Sequence, residues 1–441
     1  MYDVNVTGTT TPSSIGGQHK STRHMIEFDE YFVGPLDLDK HSKLPYFMRM
    51  HGSVLPRMIV PLLLITSWAT LITCISKFVR NLGVQTILLT VLGFVVGLAL
   101  SFRSSTAYER YSDGRKAWAT LSVQSRNLAR YIWVHVDERP GHEKEDLLAK
   151  VTGINLILAF ALALKHKLRF EPYQHYPDIA SLTSHLDTFA KAASEAPEAH
   201  VERSTTPWKR AGEFLGMSMA ISNPRKTIKR ATKPLGNFPL EILLYLSAYI
   251  EGVSANGSLK SPIILGQVMN SIAALTDTQA SAERVLTTPL PLGYNILISQ
   301  IVLIYTYLLP FQLFGALGWV TIPATTAASY IILGLAAIGN ELENPFGNDV
   351  NDLPLDVYCE QLRKEFDIIT ATPAPKLDQF WKGGEGDENQ NKPLWPLSSS
   401  GVDQWRGRSV GDIRSALKAK VVIGDGVLNN TETNGPAVVG A

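Results

Sequence analysis

The sequence predicts an all-α, polytopic membrane protein with four transmembrane helices and a large cytosolic helical region. Three observations carry this. Residues 285–340 run for 56 positions without Asp, Glu, Lys or Arg. Because about 20 apolar residues cross a hydrocarbon core of about 30 Å, that block holds two crossings and a turn. Two more uncharged stretches, 58–76 and 81–102, are separated only by KFVR. Each must satisfy its backbone hydrogen bonds internally and is therefore a helix, and so short a link makes the two an antiparallel hairpin. Finally, basic residues are unevenly shared among the flanks. Lys40, Lys43, Arg49 and Arg57 precede the first span and Arg103, Arg110, Arg115 and Lys116 follow the second, against Lys77 and Arg80 in the link. The positive-inside rule then puts both termini in the cytoplasm or its equivalent.

In chain order, residues 1–25 are rich in Thr, Ser and Gly and have no apolar core. A flexible segment is expected over 1–40, with no cleavable secretory signal. A channel-sized body is expected over 41–370, its spans near 58–76, 81–102, 292–314 and 320–339. The last two divide around Gly315 and Gly318, and Pro310 and Pro323 fall toward span ends, where proline is tolerated. The inner region, 103–284, reads as mainly helical. Within it, 151–164 is apolar but only 14 residues long, which fits a buried core helix better than a crossing. A polar interruption over 172–234 carries Lys209, Arg210, Arg225, Lys226, Lys229, Arg230 and Lys233. Such a basic stretch is either a solvated or headgroup-facing loop or an anion-collecting wall. Beyond Thr370 the composition turns to Pro, Gly, Ser and Asn, so a disordered tail is expected over 371–441, with a short helix near 410–422.

Several function classes are disfavoured. A formal net charge of +1 gives no bulk attraction for nucleic acid. Cys74 and Cys359 form neither a metal-ligand spacing nor a disulfide framework, and His135, His142 and His166 are isolated. No Walker loop, HExxH site or GxSxG elbow occurs. No span carries an interior ionisable residue, as a proton relay or coupled transporter would. No enzymatic function is expected, and passive permeation remains.

Three segments then become informative together: GFVVGLALSFRSSTAYERYSDGRKAW at 93–118, ERVLTTPLPLGYNI at 283–296, and GNELENPFGNDVNDLPLD at 339–356. In order and spacing they resemble the bestrophin family, in its fungal, plant and bacterial branch, over roughly residues 45–366. The resemblance implies a bestrophin-like homopentameric channel, passing chloride and related anions across the lipid bilayer, whose pore is lined by the second span of every subunit. On that span Thr86, Thr90 and Phe94 recur at four-residue steps on one helical face, and Gly93 and Gly97 form a small-xxx-small pair. By resemblance the first three sit at the pore neck. Thr86 and Thr90 depart from the bulky apolar residues of animal members, which makes a wetter neck. Arg103, Arg110 and Arg115 either anchor the inner interface and pair with Glu109 or Asp113, or concentrate anions at the inner mouth.

The segment after the charge-free block holds five carboxylates within residues 340–356. Glu341, Asn344, Asp349 and Asp352, with Asn348 and Asn351 beside them, supply the oxygen donors that calcium favours. In animal bestrophins a calcium clasp occupies this place, and calcium is the one candidate ligand. The alternative is structural, with Asn344, Asp349 and Asp352 capping helix starts and Pro345, Gly347 and Pro354 shaping a turn. A cation-conducting bestrophin-like channel and a membrane-anchored scaffold without transport activity stand as alternatives to anion conduction.

Overall fold

The charge-free segments fold as two helical hairpins that meet at the same end. In the computed structural model, which describes residues 45, 48–50, 52–84, 86–171, 176–190, 236–376, 405 and 407–419, α1 spans Leu55–Phe78 and α2 spans Thr86–His135. The link between them is stapled to a later helix: Gly83 N–H donates to Asn81 Oδ1 (2.9 Å) and Val84 N–H donates to the Phe311 carbonyl (3.1 Å). The second span therefore begins at Thr86 and not at Asn81, because residues 81–84 use their polar groups in this turn.

Its other end also differs from expectation. At 50 residues, α2 is about 75 Å long, so the membrane span and the first inner helix are one rigid rod. Nothing in residues 103–118 breaks it, since glycine occurs there only at Gly114.

α3 (Glu143–Leu168) and α6 (Pro262–Thr287) pack along the far half of that rod, α5 (Phe238–Ala255) packs on α3 and α6, and α4 (Pro177–Thr183) packs on α3. α7 (Leu292–Leu317) and α8 (Thr321–Leu342) return to the membrane, joined by a short 3-10 turn at Gly318–Val320. Gly318 has φ +53°, a left-handed conformation that glycine adopts without steric cost. Beside it, Trp319 meets Phe78 edge-on at 6.1 Å, bringing the two hairpin tips together. α9 (Leu355–Thr370) packs on α2 and α3. α10 (Val410–Ala419) opens with a capping box, Ser409 Oγ accepting from Asp412 N–H (3.1 Å) while Asp412 accepts from Ser409 N–H (3.2 Å). The described residues are helical apart from their connections, with no strand among them.

By length and composition, α3 and α5 would also cross a membrane, together with α1, α2 and the α7–α8 run. Burial separates them. The apolar window of α3 is 67% covered by protein and that of α5 39%, whereas those of α1, α2 and α7–α8 are 22–28% covered. Ile157, Phe160 and Leu164 of α3 sit in one large core with Trp118, Leu121 and Leu128 of α2, Ile242 and Leu246 of α5, and Phe346. The membrane half has only a small core, Val96 and Leu100 against Ile298 and Val302, as expected where helices meet an equally apolar solvent. Gly93 is a close contact there, since a Cβ would lie 2.8 Å from Tyr305 Oη, but Gly97 faces open space. Within the chain, only Gly93 of the small-xxx-small pair packs against a neighbouring helix. The segment 1–40, the basic residues from Lys209 to Lys233 and most of the 371–441 tail lie outside the described residues.

Candidate permeation face and exit turn

One face of α2 remains uncovered over the whole membrane span. Ile87, Val91, Phe94, Leu98, Ser101 and Ser105 are all exposed, and their alternating steps of four and three residues keep them within about 40° of a line along the helix. Phe94 is 72% exposed. Thr90, also exposed, sits one turn above it on the same side. Thr86 is the first residue of α2, and its side chain lies outside the described ones.

The three arginines below this face go to different places. Arg103 is nine residues beyond Phe94, about half a turn out of phase, and is 2% exposed. It donates through Nη2 to Asn340 Oδ1 of α8. Arg110 is similarly turned inward and donates to three backbone carbonyls: Glu343 (3.0 Å), Val285 (2.5 Å) and Thr288. Neither pairs with Glu109 or Asp113. These two side chains fasten the end of α6 and the end of α8 to the rod. Arg115 is exposed, with its guanidinium 4.6 Å above the ring of Tyr358, and lies within about 60° of the Phe94 face. Helical phase makes it the member of the trio placed toward that face.

Past α8 the chain makes a compact exit turn. Phe346 is fully buried and fits against Gly114 of α2, where a Cβ would lie 3.0 Å from the Phe346 ring and 3.2 Å from Pro345. Leu353 N–H donates back to the Pro345 carbonyl (2.8 Å). Asp352 does not cap a helix start; its carboxylate accepts from Asp349 N–H three residues earlier (2.7 Å). A Cβ at Gly347 would stand 2.4 Å from that same oxygen, so the NPFG glycine leaves room for the carboxylate. Burial first, and then the nearby Asp349 and Glu341 charges, push the Asp352 carboxyl up to about 7 against the bond from Asp349 N–H.

Glu341 and Asp349 share a cation supplied by the protein. Arg57, at the start of α1, donates to Glu341 Oε1 (2.8 Å) and to Asp349 Oδ2 (3.0 Å). Asn351 completes the ring, donating to Glu341 Oε2 (2.8 Å) and to the Gly52 carbonyl (2.9 Å). Asn344 is exposed. Among the described residues no group of three or more carboxylates, histidines or cysteines is placed to hold a metal ion. The four proposed calcium donors therefore do not fit a calcium clasp in this geometry, because a guanidinium already stands between two of them.

A charged network at the far end of α3 has no local sequence signature. Lys165, nearly buried, donates to Asp178 (2.5 Å) and Asp356 (2.9 Å), and Arg169 meets Asp356 at 2.7 Å. His166 bridges Glu171 (3.1 Å) and Asp178 (3.0 Å) and stacks on Tyr176 at 4.2 Å. Burial lowers the His166 pKa, but the bonds to Asp178 and Glu171 outweigh it and raise it on balance. Asp356 thus joins the acidic exit segment to the inner body. The only hint in sequence is opposite charge at positions nearly 200 residues apart.

Taken together, the spans, the continuous rod and the uncovered α2 face define an integral membrane protein in which a membrane helix runs directly into a helical extramembrane body. The bacterial/fungal bestrophin family model matches residues 38–367, and the chain belongs to that family. It is 35% identical over 63% of its length, and 75% of the relative's, to a voltage-dependent anion channel-forming protein of Nostoc sp.. The Synechocystis sp. protein of the same name is 29% identical over 74% of this chain and 91% of the relative. Among solved structures, a variant of the bacterial bestrophin homologue from Klebsiella pneumoniae matches with a TM-score of 0.54 at 26% identity, covering 73% of this chain and all of that one. A second variant gives 0.52 at 25% identity over 72% of this chain and all of that one.

Proposed function

We propose that this chain is the subunit of a passive anion channel in which five copies surround a pore lined by α2. The observation that carries it is the uncovered α2 face. A helix packed on one side and bare along the other for its whole membrane span needs either lipid or further copies of itself, and in this reading Thr86, Thr90 and Phe94 form the pore neck. Relatives named as anion channel-forming proteins supply the chloride-like substrate class. In this reading 41–370 is a single channel unit with both termini on the cytoplasmic side, Arg115 adds positive potential below the neck, and no catalytic group is needed. Calcium is not required, since Arg57 already bridges Glu341 and Asp349.

The test is the reversal potential of purified protein in planar bilayers under a chloride gradient, with subunits counted by native mass spectrometry. Reversal toward the chloride potential from a pentamer supports the reading. Reversal toward the cation potential overturns anion selectivity, and a pentamer that carries no current leaves a scaffold.

A further inference from the structure

A cavity of about 580 Å³ opens between α1, α7 and α8, within the size range of small-molecule sites. Leu64, Val302 and Leu333 line its length, while Arg57, Arg103 and Asn340 gather at the end where the spans leave the membrane. Arg103 is the anomaly. It is 2% exposed, its Nε finds no acceptor, and its one hydrogen bond goes to the neutral Asn340 side chain. No carboxylate pairs with it among the described residues. A buried guanidinium ordinarily has an anionic partner, since a desolvated charge is otherwise strongly unfavourable.

The position of this group identifies the missing partner. Arg103 directly follows the last residue of the uncharged stretch 81–102, which is headgroup depth, and the space beyond it is apolar. We infer that the α1/α7/α8 cavity binds an anionic phospholipid of the inner leaflet, its phosphate on Arg103 and an acyl chain along Leu64, Val302 and Leu333. A free anion would neutralise Arg103 but would leave the apolar length empty. An apolar helix of a neighbouring copy would fill that length and leave the guanidinium without a counter-charge. A lipid with a phosphate and a chain satisfies both. Basic pockets between membrane helices on the cytoplasmic side recognise headgroups in this way, through charge-assisted hydrogen bonds.

The inference concerns binding and stands apart from conduction, so it is read by mass and not by current. Full-length protein purified in mild detergent is delipidated, then given phosphatidylglycerol, phosphatidylcholine or inorganic phosphate, and examined by native mass spectrometry. The expected result is one phosphatidylglycerol per subunit retained in preference to phosphatidylcholine. Arg103→Gln should weaken that retention about tenfold or more, the usual effect of losing a charge-assisted hydrogen bond. Ala337→Phe, which places a ring in the cavity, should lose the lipid while keeping Arg103. Should Arg103→Gln fail to fold, Arg103→Lys, which keeps the charge and loses the fork, takes its place beside Ala337→Phe. Equal retention of both lipids, or retention unaffected by these substitutions, overturns the proposal. Displacement of the lipid by millimolar phosphate, with no effect of Ala337→Phe, would make the site one for free anions and overturn it as well.

Discussion

Replacing Arg57 with Met keeps the stem of the side chain and removes the fork that joins Glu341 to Asp349. Arg57 is 38% exposed and Asp349 32%, so each ion pair by itself contributes at most about 1 kcal/mol. Glu341 makes the larger difference, because at 11% exposed a carboxylate left with only the neutral Asn351 donor carries a further penalty of about 1–3 kcal/mol. The variant should be destabilised by about 2–4 kcal/mol, or roughly 4–8 °C in melting temperature at about 2 °C per kcal/mol for a body of this size. Two carboxylates then lie close to each other with no cation between them, so calcium should recover part of the loss. The assay is a thermal melt of purified protein with calcium chloride and with chelator. Wild type should melt alike in both, and Arg57→Met should melt higher with calcium. An unshifted Arg57→Met, or a wild type weakened by chelator, refutes the role of Arg57 as the built-in cation of the exit turn.

Phe346→Ala empties a fully buried site against Gly114 and should cost about 3–5 kcal/mol, seen as a lower melting temperature; a change near zero would mean that the NPFG turn does not dock on α2. For pH, His166 has a folded pKa above its unfolded value of about 6.5, so its contribution is complete below that pH and fades as pH rises through the folded value. Wild type should therefore lose more stability than His166→Gln as the pH rises above about 6.5, and parallel pH profiles would exclude His166 as the titrating group. Phe94→Ala, at an exposed position, should leave stability within about 0.5 kcal/mol while changing single-channel conductance or selectivity. Unaltered conductance would remove Phe94 from the neck.

Much of the architecture is legible along the chain because solvation in a bilayer is a local property. The four spans follow from uncharged runs, whereas α3, long and apolar enough to cross as a helix, is set apart only by its burial against protein. The break at residues 81–84 was not legible, since it depends on Phe311 accepting a hydrogen bond from Val84. The continuity of α2 was hidden for a different reason: a charged segment after an apolar one reads as an exit, although the same helix simply continues into protein. For the site, helical phase already separates Arg103 from Phe94 by half a turn, and that signal was available. Spacing of seven between Arg103 and Arg110 put them on one face, but the face is the packed one.

The acidic stretch at 340–356 marks most clearly the division between the two sources. Sequence alone determined that a double crossing ends there in a turn rich in oxygen donors, because charge cannot remain in hydrocarbon. It could not determine what those donors meet. Arg57 lies 292 residues before Asp349, Lys165 lies 191 before Asp356, and no periodicity links such positions. Only the packing of α1 against α8 and of α9 against α3 brings the cations in, and only the return of α8, with α1 against it, to α2 leaves Arg103 buried beside an apolar cavity with its charge unmatched. Composition decides where the chain enters and leaves the membrane; which charges find partners is decided by the three-dimensional return of distant helices to the same turn.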